Sequence, residues 1–277
     1  MTLHQICQNY KQPTYAYDER RLSYNYKRYQ QCLSSTCSIY YSIKANPNFE
    51  IIQSLYRAGA GMEVSSLYEL HLAIDAGVPA KKIVFIGPGK KLSEINACIN
   101  MNIMAIYCES LAELELIEHA AYRQRQNIQV VLRIADTQHS KGHGISMSGP
   151  NSQFGIDLNT AQHINNNHQK WPFSEIVGVH FYQGTNQQNP EYTQQQILSC
   201  CEKFAKLQQS WHRPMVILGL GLGIGKLTDD ISQRIATSQC WSKPITALQK
   251  TNPGLKVICE AGRCLVASCG DLGAQVQ

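Results

Sequence analysis

The feature that most constrains this chain is a rhythm. A short β-branched run, a turn and a helix-like stretch recur eight times. The runs are IYYSIK (39–44), GMEVSS (61–66), KIVFIG (82–87), IMAIYC (103–108), IQVVLRI (128–134), IVGVHFY (176–182), MVILGLG (215–221) and KVICEAG (256–262). Turn residues bound each of them. The stretches between include FEIIQSLYRAG, SSLYELHLAIDAG, LSEINACINM and ESLAELELIEHAAYRQ. In the second, Leu67, Leu70, Ala73 and Ile74 recur at helical spacing, and Gly77 ends the pattern. Ser66 with Glu69 three residues on resembles a capping box.

Such alternation predicts a parallel sheet. The runs are apolar at consecutive positions, as strands covered on both faces should be. Eight units close naturally into an α/β (β/α)8 TIM barrel, and 277 residues are enough for one. An open doubly wound sheet is the competing architecture. No internal repeat or linker divides the sequence, so a single domain over 1–277 is expected, with 1–36 leading into the barrel. One connection breaks the rhythm: 135–159 is long, rich in Gly and Ser and poor in helix signals. A loop of that length in a compact domain is usually functional.

Composition excludes several function classes. Apolar residues make up 43% and charged residues 16%, which argues against disorder. The net charge of +5 is scattered, with only short pairs such as Lys81-Lys82 and Lys90-Lys91, so no nucleic-acid stripe is expected. The polar start, MTLHQICQNYKQ, lacks a signal-peptide core, and no run is long enough to span a membrane. Eleven cysteines without a Cys-x-x-Cys pair suggest free thiols in a reducing, cytoplasmic setting. His139 and His143 have metal-ligand spacing but no evident third ligand, so no metal is expected.

In a barrel of this kind the active site lies at the C-terminal ends of the strands. The first run ends at Lys44, a lysine closing an apolar segment. Lysine is almost never fully buried without a partner, so a partner is expected there. The sixth run leads into HFYQGT (180–185), the seventh into GLGLGIG (219–225), and the eighth ends at Glu260 before Gly262 and Arg263. The glycine loop can bring backbone amides close to a phosphate, and Gly184, Thr185 and Arg263 can join them. A plain flexible turn is the alternative. An amine beside a phosphate seat suits an aldehyde cofactor, provided that burial lowers its pKa. Pyridoxal 5'-phosphate is such a cofactor, and Glu260 can partner its ring nitrogen. The plainer alternatives are a snorkelling Lys44, an ion pair between Glu260 and Arg263, a core Tyr182 and a structural His180.

These motifs together resemble the fold-type III pyridoxal-phosphate decarboxylases, the ornithine, arginine and diaminopimelate group with an alanine-racemase-like barrel. The similarity runs from PTYAYD (13–18) to EAGRCLVASCGDL (260–272). It implies that Lys44, in YYSIKANPN, is the Schiff-base lysine. Glu63 and Glu69, in GMEVSSLYEL, match acidic positions, and Arg133, in VLRI, matches an arginine near the cofactor. SQFGID (152–157), GVHFYQGT (178–185), the glycine loop with Gly221 and Gly223, and EAGR follow in order. There are departures. Tyr182 stands where histidine usually stacks on the pyridine ring, which keeps a flat π face and loses an imidazole. Gly221-Leu222-Gly223-Ile224-Gly225 replaces a denser glycine run, and Ala261 replaces a proline. The family's C-terminal β domain, with its catalytic cysteine, is expected to be absent, and no cysteine here matches that role.

The resemblance implies amino-acid decarboxylation, with Lys44 holding the cofactor and Glu260 stabilising the electron-rich ring. A racemase is disfavoured because it benefits from a cation beside that nitrogen. HFYQGT with SQFGID is similar to a carrier-linked or exosortase-associated branch. A homodimer, or pairing with a full-length relative, is the implied assembly. The other reading is a cofactor-binding or decoy barrel without catalysis, or a truncated gene product.

Overall fold

The computed structural model describes Gln5 and residues 12–135, 154–225 and 241–274. His139, His143, Ser152 and most of the expected long connection lie outside these residues. The eight expected runs all form strands: β2 (Cys37–Ser42), β3 (Gly61–Val64), β4 (Ile83–Phe85), β5 (Ala105–Cys108), β6 (Ile128–Ile134), β7 (Ser174–Tyr182), β8 (Ile217–Gly221) and β9 (Lys256–Ala261). They pair in parallel, each with the next, and β9 returns to β2 to close the barrel. The open-sheet alternative is excluded.

Side chains alternate between two environments, as the period of a strand requires. Tyr40, Val84, Tyr107, Val131, Val177, Ile217 and Ile258 fill the barrel interior. Tyr41, Met62, Phe85, Ile106, Leu132, Phe181 and Leu220 face the helices and form the larger core. The helices are α1 (Glu19–Cys32), α2 (Phe49–Ala58), α3 (Leu67–Asp75), α4 (Leu92–Asn100), α5 (Leu111–Gln124), α6 (Leu158–Asn166), α7 (Pro190–Ser210), α8 (Ser242–Thr251) and the short α9 (Arg263–Val266). Several start on side-chain caps. Asn48 accepts from Glu50 N and Ile51 N, Ser110 from Glu113 N, and Asp157 from Asn159 N and Thr160 N. Ser66 caps α3 through Glu69 N. The Glu69 carboxylate reaches one residue further back than a standard capping box, to Ser65 N at 2.7 Å.

One element was not legible as a strand pair. Thr14–Tyr17 (β1) and Gly270–Gly273 (β10) form a two-stranded antiparallel ribbon outside the barrel. Its outer face carries Tyr15, Tyr17 and Leu272, all exposed. All nine described cysteines are free, as expected, and all nine are buried. Among the described residues no helix is long and apolar enough to cross a membrane.

Parallel strands of unequal bulk need small residues where backbones meet. At Gly178 an added Cβ would sit 1.9 Å from the Ile217 carbonyl oxygen on β8. Between Val130 and Val131 the β6–β7 register shifts by one, so that Val131 faces Gly178. Gly178→Ala should therefore cost about 3 kcal/mol of unfolding free energy, measured by urea titration, because the obstacle is backbone and cannot rotate away.

Candidate active site

The residues expected to matter gather at one end of the barrel, where the strands finish. Lys44 follows β2 in a short turn, Glu63 is on β3, Arg133 on β6, Tyr182 ends β7, Gly221 ends β8, and Glu260 is next to last on β9. Gly184, Thr185 and Gly223 lie in the loops just beyond, and Gly262 and Arg263 open α9.

Lys44 corrects one expectation. It is not buried in the strand, because the chain leaves β2 at Ser42 and turns, and 55% of the lysine side chain is exposed. The expected partner is Glu63, whose Oε1 accepts from Lys44 Nζ at 2.6 Å. Ser42 donates its hydroxyl to the other oxygen of the same buried carboxylate. A second expectation also changes. Desolvation alone would lower the Lys44 pKa, but the charge and hydrogen bond of Glu63, with smaller help from Glu260 and Tyr182, hold the amine above its ordinary value. Without a ligand it is an ammonium group.

Glu260 is buried. Its Oε2 lies 3.2 Å from His180 Nε2. Burial would raise its pKa, but His180, then Lys44 and Arg133, hold it below the usual carboxylate value. Among the described residues Glu260 makes no ion pair with Arg263, which is exposed. His180 is thus neither idle nor remote. Glu260 Oε1 is buried and has no hydrogen-bond partner. A buried ionised oxygen without a donor is costly, so this atom has capacity for one more donor.

The glycines take different parts. Gly221 belongs to β8, and its missing side chain leaves room for Tyr182, Glu260 and His180, all within 3.2 Å of where a Cβ would sit. Gly223 has φ +59°, and an added Cβ would lie 1.8 Å from the Gly184 carbonyl oxygen. The loops after β7 and β8 are therefore interlocked, through Gln183 N to Gly221 O and Gln187 N to Gly223 O. Gly262 packs on the turn that carries Lys44, against Ala45 and Ser42.

Arg133 brings in Glu109, which the sequence reading did not single out, and Phe154 of the SQFGID motif. Its Nη1 donates to both carboxylate oxygens of Glu109 at 3.0 Å. Its guanidinium carbon lies 5.1 Å from the centre of the Tyr182 ring and 5.0 Å from that of Phe154. Phe154 is delivered by a backbone bridge between Ile156 and the end of β6. Glu109 had a readable signal, since it is an acidic residue at the C-terminal end of a strand.

An unpartnered carboxylate oxygen on Glu260, an exposed amine and two interlocked glycine loops fit pyridoxal phosphate. Comparison with known proteins agrees. Residues 19–267 match the family described as pyridoxal-dependent decarboxylase, pyridoxal binding domain. The chain belongs to this family. A diaminopimelate decarboxylase of Helicobacter pylori is 30% identical over 281 residues, covering 98% of this chain and 67% of the relative. The L-glutamyl-[BtrI acyl-carrier protein] decarboxylase of Niallia circulans is 27% identical over 275 residues, 95% of this chain and 62% of the relative. The chain thus spans less than two thirds of that protein. The crystal structure of the H. pylori enzyme with L-lysine superposes with a TM-score of 0.84 at 27% identity, over 98% of this chain and 68% of that one. Family membership accounts for the barrel and for pyridoxal phosphate as the cofactor.

The electrostatic roles assigned to Glu63 can be tested without cofactor. Glu63→Gln should lower the pKa of the Lys44 amine, since the largest cause that raises it is removed while desolvation stays. Competitive acylation across pH should show Lys44 reacting at least about tenfold faster at pH 8 in the variant.

Proposed function

We propose that this protein is a pyridoxal-phosphate-dependent amino-acid decarboxylase in which Lys44 binds the cofactor and Glu260 pairs with its ring nitrogen. When bound, the cofactor supplies an electron sink for the bond to the carboxylate carbon of an amino acid. The remaining work falls to the chain. The unpartnered Oε1 of Glu260 is the observation that carries the reading. A carboxylate held ionised by His180 keeps a proton on a ring nitrogen facing it. A cation at that place would oppose it, so decarboxylation is favoured over racemisation.

Glu63 keeps Lys44 protonated and oriented until a ligand arrives, and can take back a proton when the amine is engaged. Tyr182 offers a flat ring backed by Arg133. The glycine loops with Gly184, Thr185, Gly221 and Gly223, together with Gly262 and Arg263, are the proposed phosphate seat. The substrate class is a free or carrier-linked α-amino acid, in line with the names of the two relatives. Buried free thiols support a cytoplasmic setting. A homodimer, or pairing with a longer relative, is the proposed assembly.

Mixing the protein with pyridoxal phosphate should give a visible absorption band that Lys44→Ala lacks. CO2 release should then be found for one of lysine, ornithine, arginine, diaminopimelate or glutamate. Glu260→Gln should keep the band and lose release by roughly 100-fold or more. A band without release from any of these substrates, free or attached to a carrier protein, supports the non-catalytic cofactor-binding barrel instead, and no band in the wild type ends both readings.

A further inference from the structure

A buried chain of charges runs from the outer layer of the barrel to the candidate site. Lys90 Nζ, almost fully buried, donates to Gly87 O at 2.6 Å, Tyr107 O at 2.5 Å and Glu113 Oε1 at 3.0 Å. The other oxygen of Glu113 accepts the backbone N–H of Glu109 at 2.6 Å. The Glu109 carboxylate, also buried, then grips Arg133, and Arg133 lies over the rings of Tyr182 and Phe154. Two ion pairs, Lys90–Glu113 and Glu109–Arg133, are joined through one peptide N–H.

Buried ion pairs stabilise little compared with apolar residues of the same volume, so their presence asks for another reason. The structure offers one. Arg133 is the cation that faces Glu260 on β9 and Tyr182 on β7, with Lys44 and Glu63 as the other charges around them. Unopposed, it would add a full positive charge to the pocket. Glu109 cancels that charge and fixes the guanidinium as a plate behind Tyr182.

Resting on the cofactor reading above, we propose that Glu109 is a positioning residue. It holds Arg133 against Tyr182 and neutralises it, so that the pocket tolerates a protonated, cofactor-bound Lys44 nitrogen. Lys90 and Glu113 anchor Glu109 in turn.

The test uses pyridoxal phosphate, the visible absorption band and pH. In Glu109→Gln the uncompensated Arg133 should lower the midpoint at which the cofactor-bound Lys44 nitrogen loses its proton by about one pH unit. Cofactor affinity should fall at least about tenfold. Glu109→Asp should restore both in part. The double variant Glu109→Gln/Arg133→Met removes both charges. It should return the midpoint to the wild-type value while affinity stays low, because the plate behind Tyr182 is gone. A merely structural role predicts no midpoint shift in the single variant. If the single variant does not fold, the double variant decides: wild-type affinity in it overturns the proposal. A wild-type midpoint in folded Glu109→Gln overturns it too. The absence of any band in the wild type defeats the cofactor reading instead, a distinct result.

Discussion

The pairing of β2 with β9 makes the site possible. Tyr40 lies beside Glu260 in that ladder, so residues more than two hundred positions apart become neighbours. A lysine just past the end of the first barrel strand and a carboxylate at the end of the last then share one rim. Their mutual effect is visible in the electrostatics, since Glu260 raises the Lys44 amine and Lys44 lowers the Glu260 carboxyl. An open sheet would have placed them at opposite edges. Gly262, packed on Ser42 and Ala45, keeps the two strand ends in contact beyond the ladder.

Around that junction the chain alternates bulk and absence. Gly219 and Gly221 on β8 face inward and leave the space that His180, Tyr107 and Tyr182 occupy. The interior therefore holds large polar side chains without distorting the strands. His180 uses that space to reach Glu260. Tyr182 uses it to stand between the loops and Arg133. Buried charge is tolerated here because each buried ion is paired: Lys90 with Glu113, Arg133 with Glu109, Glu260 with His180.

Much of this was legible in the sequence, for a physical reason. Parallel strands covered on both faces must be continuously apolar, so runs such as IQVVLRI and KVICEAG stand out, and all eight appear as strands. The ribbon of β1 and β10 did not stand out. Each strand has four residues, and the partner of Tyr15 is Leu272, so no local pattern announces the pair. Lys44 was expected inside a strand because its neighbours are apolar. The turn starting at Ile43 carries it out toward solvent, and a hydrophobicity pattern does not register a turn of that kind. Gly221 ends β8 as the run 215–221 predicts, and its missing side chain serves close packing as well as the turn that follows. Glu109 was passed over because its partner Arg133 is a strand away and no local pattern joins the two.

One amine, at the end of the first barrel strand, is proposed to face a pocket built for a flat phosphorylated aldehyde. Borohydride reduction of the protein with stoichiometric pyridoxal phosphate, followed by peptide mapping, tests it most directly. A single phosphopyridoxyl adduct, on Lys44, is expected. Label spread over surface lysines, or fixed on any lysine other than Lys44, would contradict it.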